Sequence, residues 1–487
     1  MDETGRLTDL DHRHLWHPFT PMAQWRRDEP LIIERGEGVT LIDTQGRRYI
    51  DGVSSLWCNV HGHRVPQIDQ AIRRQLDKIA HSTLLGLASP PSIELAARLC
   101  QIAPGRLNKV FYSDAGATAV EVGLKLAAGY WYHRGKTQKH RFIALQGAYH
   151  GDTTGAMSVG FNRLFHQPFA SMVFATTFFA APDACRPPAP LAPLQDALGG
   201  DEWPSENPRL AAALRECCLS QLDAILQQQA DQTAAVVIEP LMQGAAGMIC
   251  QPDGFIRGIA DLAAKHNVLL IADEVATGFG RTGRMFACEH EQVEPDILCL
   301  GKGISGGYLP LAATLVTDEL EQAFCGDALQ RGTFYHGHTY TGNALGCAAG
   351  LASLDLFKST NLLEHIRGGQ RIITDRLEGL RGCNHVLDVR RRGLMVGIEL
   401  CVDQSRREPF DGTLVAAVCK AMRSKGLIVR PLGDVVVLMP APAMPHETLT
   451  LMLDIVVETI CQIDTRAHPA GPSWQPSDTG VTSDAVR

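Results

Sequence analysis

"PDILCLGKGISGGYLP", residues 295–310, carries the spacing G-x-G-x-x-G in Gly301, Gly303 and Gly306, with Lys302 held between the first two glycines. A dinucleotide-binding turn of that spacing needs a strand running in and a helix running out, because the pyrophosphate rests on the free amides of the helix N-terminus. The entry fits: "ILCL" after Pro295 reads as a short buried strand. The exit does not, since "GGYLPLAATLV" (306–316) places Pro310 before a β-branched, apolar run that reads as a second strand. The nucleotide reading falls, and a lysine at a strand end needs another account.

Outward from this turn, the chain from Leu107 to about Val316 alternates apolar strand-like runs with amphipathic helical stretches. That pattern predicts an α/β architecture with a mostly parallel sheet covered on both faces. "KVFYSD" (109–114), "RFIAL" (141–145), "AAVVIEP" (234–240), "VLLIADE" (268–274) and "DILCLG" (296–301) are its strand-like runs. In a parallel sheet their far ends gather on one rim, where ligands bind. Residues 1–70, with a hairpin in "GVTLIDTQGRRYID" turning at Thr44, Gln45 and Gly46, and residues 345–465 read together as a smaller α+β domain built from both chain ends. Residues 71–344 form the large domain. The Pro-rich stretch 181–208 and the tail 466–487 read as poorly ordered surface segments.

Bulk properties exclude several classes. With 487 residues, 45% hydrophobic and 20% charged, the chain is ordinary for a globular protein of two or more domains. A formal net charge of −8 gives no electrostatic case for nucleic acid or an anionic membrane. The densest basic run, Arg390–Arg392, reads as solvated surface. No stretch approaches the roughly 18 apolar residues of a membrane span, and the polar first residues lack a signal-peptide core, so a cytoplasmic location is expected. The 14 cysteines form no C-x-x-C pair and read as free, buried thiols. His61 with His63, and His336 with His338, are two apart rather than at helical zinc-ligand spacing, so no metal is expected.

Three strand ends carry chemistry. In "FYSDAGATAVE" (111–121), Ala115, Gly116 and Ala117 open a helix whose unpaired amides suit an anion. Asp273 closes one apolar strand and Lys302 closes the next. A phosphate cradle, a buried carboxylate and a desolvated lysine on one rim are what pyridoxal phosphate requires: an amine to hold its aldehyde, an acid to keep its ring nitrogen protonated and amides for its phosphate. Tyr149 in "GAYHGD" suits the ring's face by type.

"IADEVATGFGRTGRMFACEHEQVEPDILCLGKGISGG" (271–307) resembles the signature of the class III aminotransferases. "LWHPFTPM" (15–22), "DGVSSLWCNVHGH" (51–63), "AYHGDTTGAMSVG" (148–160), "HGHTYTGN" (336–343) and "VRPLGDVVVLMP" (429–440) resemble the branch of that class serving biotin biosynthesis. The resemblance implies a fold type I pyridoxal-phosphate enzyme, homodimeric, with sites at the subunit interface. It puts the cofactor on Lys302, Asp273, Tyr149, Gly116 and Ala117, with His338 and Thr339 reaching the phosphate across the interface. It lines the substrate side with Phe19, Leu56, Trp57, Asp152, Arg281, Gly337 and Arg430, the last to pair with a keto-acid carboxylate. The implied acceptor is 8-amino-7-oxononanoate. Phe19 stands where many members carry tyrosine, and Leu56 where many carry the first of two tryptophans. A branch with similar patterns uses lysine, so S-adenosylmethionine and lysine both stand open as donor, and other ω-amino-acid or diamine aminotransferases share the same parts.

Overall fold

The computed structural model describes residues 3–196, 202–326, 332–403, 408–410 and 412–463. The tail expected to be disordered, and residues 197–201 of the Pro-rich stretch, lie outside them. Strands β1 (Ile33–Glu37), β2 (Thr40–Asp43) and β3 (Arg48–Asp51) come first. β4 (Leu107–Ser113), β5 (Arg141–Leu145), β6 (Thr177–Phe179) and β7 (Thr233–Ile238) follow. A short hairpin of β8 (Met242–Gln243) and β9 (Ile249–Cys250) precedes β10 (Leu269–Asp273), β11 (Ile297–Leu300) and β12 (Ala312–Thr317).

The central sheet runs β4-β12-β11-β10-β7-β5-β6, with β12 antiparallel to both neighbours and the remaining pairs parallel. Its strands are continuous apolar runs because both faces are covered. Ile271, Ile297 and Cys299 pack under the helix Gly116–His133, while Leu270, Ala272, Leu298 and Leu300 face the other layer, where Leu222 and Ile259 come from the helices Pro208–Gln229 and Phe255–Lys265. The parallel register brings the carboxyl ends of β4, β5, β7, β10 and β11 to one rim.

Strands from both chain ends pair with each other. The later ones are β13 (Val386–Arg392), β14 (Met395–Asp403), β15 (Glu408–Pro409), β16 (Leu427–Ile428), β17 (Arg430–Leu432) and β18 (Val435–Leu438). β16 adds in parallel to β3, and β17 turns antiparallel to β18 two residues later. A single stretch of chain thus serves two sheets.

Three expectations need correcting. Arg390 is not solvated: it is 2% exposed, donates to the carbonyls of Gly247 (2.7 Å) and Met248 (3.1 Å), and pairs with Glu399 and Asp388. Arg391 and Arg392 are also paired, with Glu206 (3.1 Å) and Asp253 (2.6 Å). The Pro-rich stretch is no loose excursion, since Ala184, Cys185 and Trp203 are buried and Ser205 donates to Asp388 at 2.8 Å. Its prolines shape a path into the core rather than freeing the chain from it. Cys383 and Cys461 form a disulfide between the segment after the helix Leu362–Leu377 and the last helix, His446–Cys461; twelve other cysteines are free.

Removing Arg390 leaves Asp388 buried without its paired cation and Glu399 held by Arg186 alone, a change that typically costs about 3–5 kcal/mol. Arg390→Ala is therefore expected to lower the unfolding free energy by that amount in urea melts, with Arg392→Ala, whose partner is exposed, changing it by less than about 1 kcal/mol.

Candidate active site

Asp273 is the last residue of β10 and is 4% exposed. One carboxylate oxygen accepts the amide of Val275 at 3.0 Å, and the other lies 2.7 Å from Nδ1 of His150. His150 is wholly buried; burial pulls its imidazole down, but the bond to Asp273 and the charges of Asp273 and Glu239 carry it above the ordinary histidine value. Its Nε2 has no hydrogen-bond partner.

Lys302 follows β11 by two residues and begins a one-turn 3-10 segment, Lys302–Ser305. Its φ of +41° is a costly conformation for a side chain with a Cβ, and Ser54, Ser55 and Trp57 show the same left-handed backbone at +51°, +63° and +64°. These strained stretches face each other, with Nζ of Lys302 5.3 Å from the centre of the Trp57 ring. Enclosure pushes the Lys302 amine below the ordinary lysine value, against the opposing pull of Asp273 and Glu239.

The rim's third part is the start of the helix Gly116–His133. Ala115 is extended and has no side chain to cap the helix; Thr118 instead accepts the Ala115 amide through Oγ1 at 2.9 Å. The first-turn amides of Gly116 and Ala117 thus keep no intrahelical partner. Backbone approach here is close, since a Cβ on Gly116 would sit 2.4 Å from Cγ1 of Val275. Gly151, at φ +119°, leaves room for Ala117, whose Cβ would be 2.3 Å from an added one. The Tyr149–Gly151 loop, the helix start and the β10 end therefore meet.

Tyr149 donates through its hydroxyl to Asp152 at 2.8 Å, and Asp152 lies 3.4 Å from His166. Burial, first, and the Asp152 bond raise the Tyr149 phenol, so it stays neutral. Phe19 and Leu56 are exposed, Phe19 edge-on to Phe165, while Trp57 is buried against Gly244. Gly337 and Thr339 lie on an exposed stretch with Tyr335 and Tyr340, and Nδ1 of His338 is 2.9 Å from Asp114 of its own chain. Arg430, half-buried at the start of β17, has no side-chain partner among the described residues.

Arg281 differs from expectation. Its guanidinium is 2% exposed and donates to the carbonyls of Asn59 (2.9 Å) and Pro440 (2.6 Å) and to Ser54 (3.2 Å), tying the Ser54–Trp57 turn to the end of β18. These bonds tie it into the fold. His150 and Glu239 escaped the sequence reading, though each had a signal: His150 adjoins Tyr149, and Glu239 closes β7 as Asp273 closes β10.

A sheet rim carrying an enclosed lysine, a buried acid and a bare helix start defines the class. The chain matches the family model "Aminotransferase class-III" over residues 22–460, and it belongs to that family of pyridoxal-phosphate-dependent aminotransferases. Within it, the chain is similar to the adenosylmethionine-8-amino-7-oxononanoate aminotransferase of Geobacter sulfurreducens, at 47% identity over 94% of this chain and 98% of the relative. The crystal structure of the aminotransferase of that name from Methanocaldococcus jannaschii superposes with a TM-score of 0.86 at 41% identity, covering 95% of this chain and all of the other. An amine transaminase from an uncultivated Pseudomonas species, solved with pyridoxal phosphate bound, gives 0.82 at 33% identity over 92% and 99%.

The rim fits the cofactor on its own chemistry. The close packing at Gly116 and Gly151 brings the helix start to the rim, the free amides suit a phosphate, and His150 spends one nitrogen on aiming Asp273. In protein stripped of cofactor, Lys302 is expected to react with an amine reagent at lower pH than the surface lysines. Mass-spectrometric mapping of modification against pH checks this; a Lys302 midpoint equal to the surface set contradicts the enclosure.

Proposed function

We propose that the chain transfers an amino group to 8-amino-7-oxononanoate, forming 7,8-diaminononanoate, with S-adenosylmethionine as donor. The observation carrying this reading is near-full-length similarity, at more than 40% identity, to relatives that bear the corresponding name. The unpaired Arg430 supports it, because a guanidinium without an internal partner suits the acceptor's carboxylate.

When bound, pyridoxal phosphate supplies an electron sink that lets a substrate C–H bond next to nitrogen ionise. The chain's residues do the rest. Gly116 and Ala117 would hold the phosphate through their amides, and Asp273, aimed by His150, would hold the ring nitrogen. Lys302 would hold the cofactor's aldehyde and, as a free amine, would move a proton at its Nζ, a task its lowered basicity suits. Tyr149 would stand beside the ring, and Trp57 would keep water from the Lys302 amine. Phe19 and Leu56 present apolar surface to the substrate chain, with Asp152 beside Tyr149 to receive its amine.

The enzyme works as a cytoplasmic homodimer, in which Gly337, His338 and Thr339, on the exposed stretch of one copy, close the site of the other. A second donor, lysine, is favoured by Leu56, which offers a sulfonium no aromatic face at that position.

Lys302→Ala is expected to abolish turnover and the visible absorbance of covalently held cofactor. Arg430→Ala is expected to raise KM for 8-amino-7-oxononanoate by about tenfold or more while leaving the donor half-reaction intact. Donor half-reactions with S-adenosylmethionine and lysine, followed by absorbance, separate the donors. If neither donor supports conversion of 8-amino-7-oxononanoate while an ω-amino acid or diamine pair reacts, this substrate reading is wrong.

A further inference from the structure

Glu239, the residue that closes β7, has no part in the roles above. It is 5% exposed, and its carboxylate is divided between two loops. Oε2 accepts the amide of Tyr149 at 3.1 Å; Oε1 accepts the amide of Gly244 at 3.0 Å. Tyr149 stands on one wall of the rim. Gly244 abuts the other, since a Cβ added there would lie 3.1 Å from Cζ3 of Trp57, the ring that Lys302 faces. One side chain therefore spans the loops behind both aromatic walls.

We infer that Glu239 is a positioning residue of the transamination site, a charged clasp that fixes the spacing of the Tyr149 and Trp57 walls and supplies negative charge to the Lys302 amine. Two amides on separate oxygens need two acceptors, which an amide side chain lacks, and an acid placed in so apolar a setting also asks for an electrostatic reason. The surroundings supply one. Lys302 feels Asp273 and Glu239 in its favour, along with the Cys58 thiol, against burial and the Arg281 guanidinium. His150 likewise gains from Glu239 as well as from its bonded partner. The carboxylate is itself strained toward neutrality, carried up to about 7 by burial, with His150 pulling down and Asp273 pushing up.

The inference rests on the proposed transaminase reading, but its test does not need the substrate. In cofactor-free protein, Lys302 modification is followed against pH by mass spectrometry in wild type, Glu239→Gln and Glu239→Asp. Gln removes the charge together with one acceptor, so the Lys302 midpoint is expected to fall by about half a pH unit, giving about threefold faster modification below the midpoint. Asp keeps the charge but shortens the reach, so it is expected to hold the wild-type midpoint while retaining less cofactor on dialysis. In the loaded enzyme, Glu239→Gln is expected to lower kcat about tenfold, the scale known for outer-shell partners at metal sites, with KM within about twofold. Equal Lys302 midpoints in wild type and Glu239→Gln, or equal shifts in Gln and Asp, overturn the proposal. Wild type that leaves 8-amino-7-oxononanoate unconverted would instead sink only the substrate assignment.

Discussion

A carboxylate buried at the end of an apolar strand needs partners, and the site depends on those that Asp273 is given. His150 is its bonded partner, and Val275 adds an amide to the other oxygen. A carboxylate taken out of water without such partners is costly to bury. The surrounding architecture follows from this need. A histidine must be delivered from the end of β5 to the end of β10, two strands away across β7, and only the close approach at Gly151 lets the loop carrying it come so near.

The strands that position this pair were legible because each is an unbroken apolar run, the mark of burial on both faces. Lys302 and Asp273 were legible for the opposite reason, as charges at the ends of such runs. Glu239, one residue past β7, carries the same signature. What sequence could not reveal is which arginines point inward. Arg281 and Arg390 look like surface residues by type, and their burial depends on carbonyls far away in the chain, at Asn59 and Pro440 for one and at Gly247 and Met248 for the other. The disulfide between Cys383 and Cys461 escaped similarly, because no local spacing links cysteines in separate helical segments.

Part of the backbone strain lies where the chemistry is. Lys302 and the Ser54–Trp57 turn hold left-handed conformations, and they face one another across the rim. Such conformations persist only where neighbours fix them. Arg281 is that fixing element for the turn, with its guanidinium spread over Ser54, Asn59 and Pro440. A charge that sequence type would assign to a ligand thus works as internal scaffolding, and Arg430, which has no side-chain partner among the described residues, follows β16, the strand that completes the first sheet.

That strand has a consequence for biogenesis. Leu427 aligns with Ile50 and Ile428 with Asp51, so the first sheet of the chain awaits a partner made hundreds of residues later. The ribosome releases nearly the entire polypeptide before the amino-terminal hairpin gains its fourth strand. Its edge must stay unpaired through most of synthesis, which makes this margin the place where a nascent chain is most open to premature association with another copy.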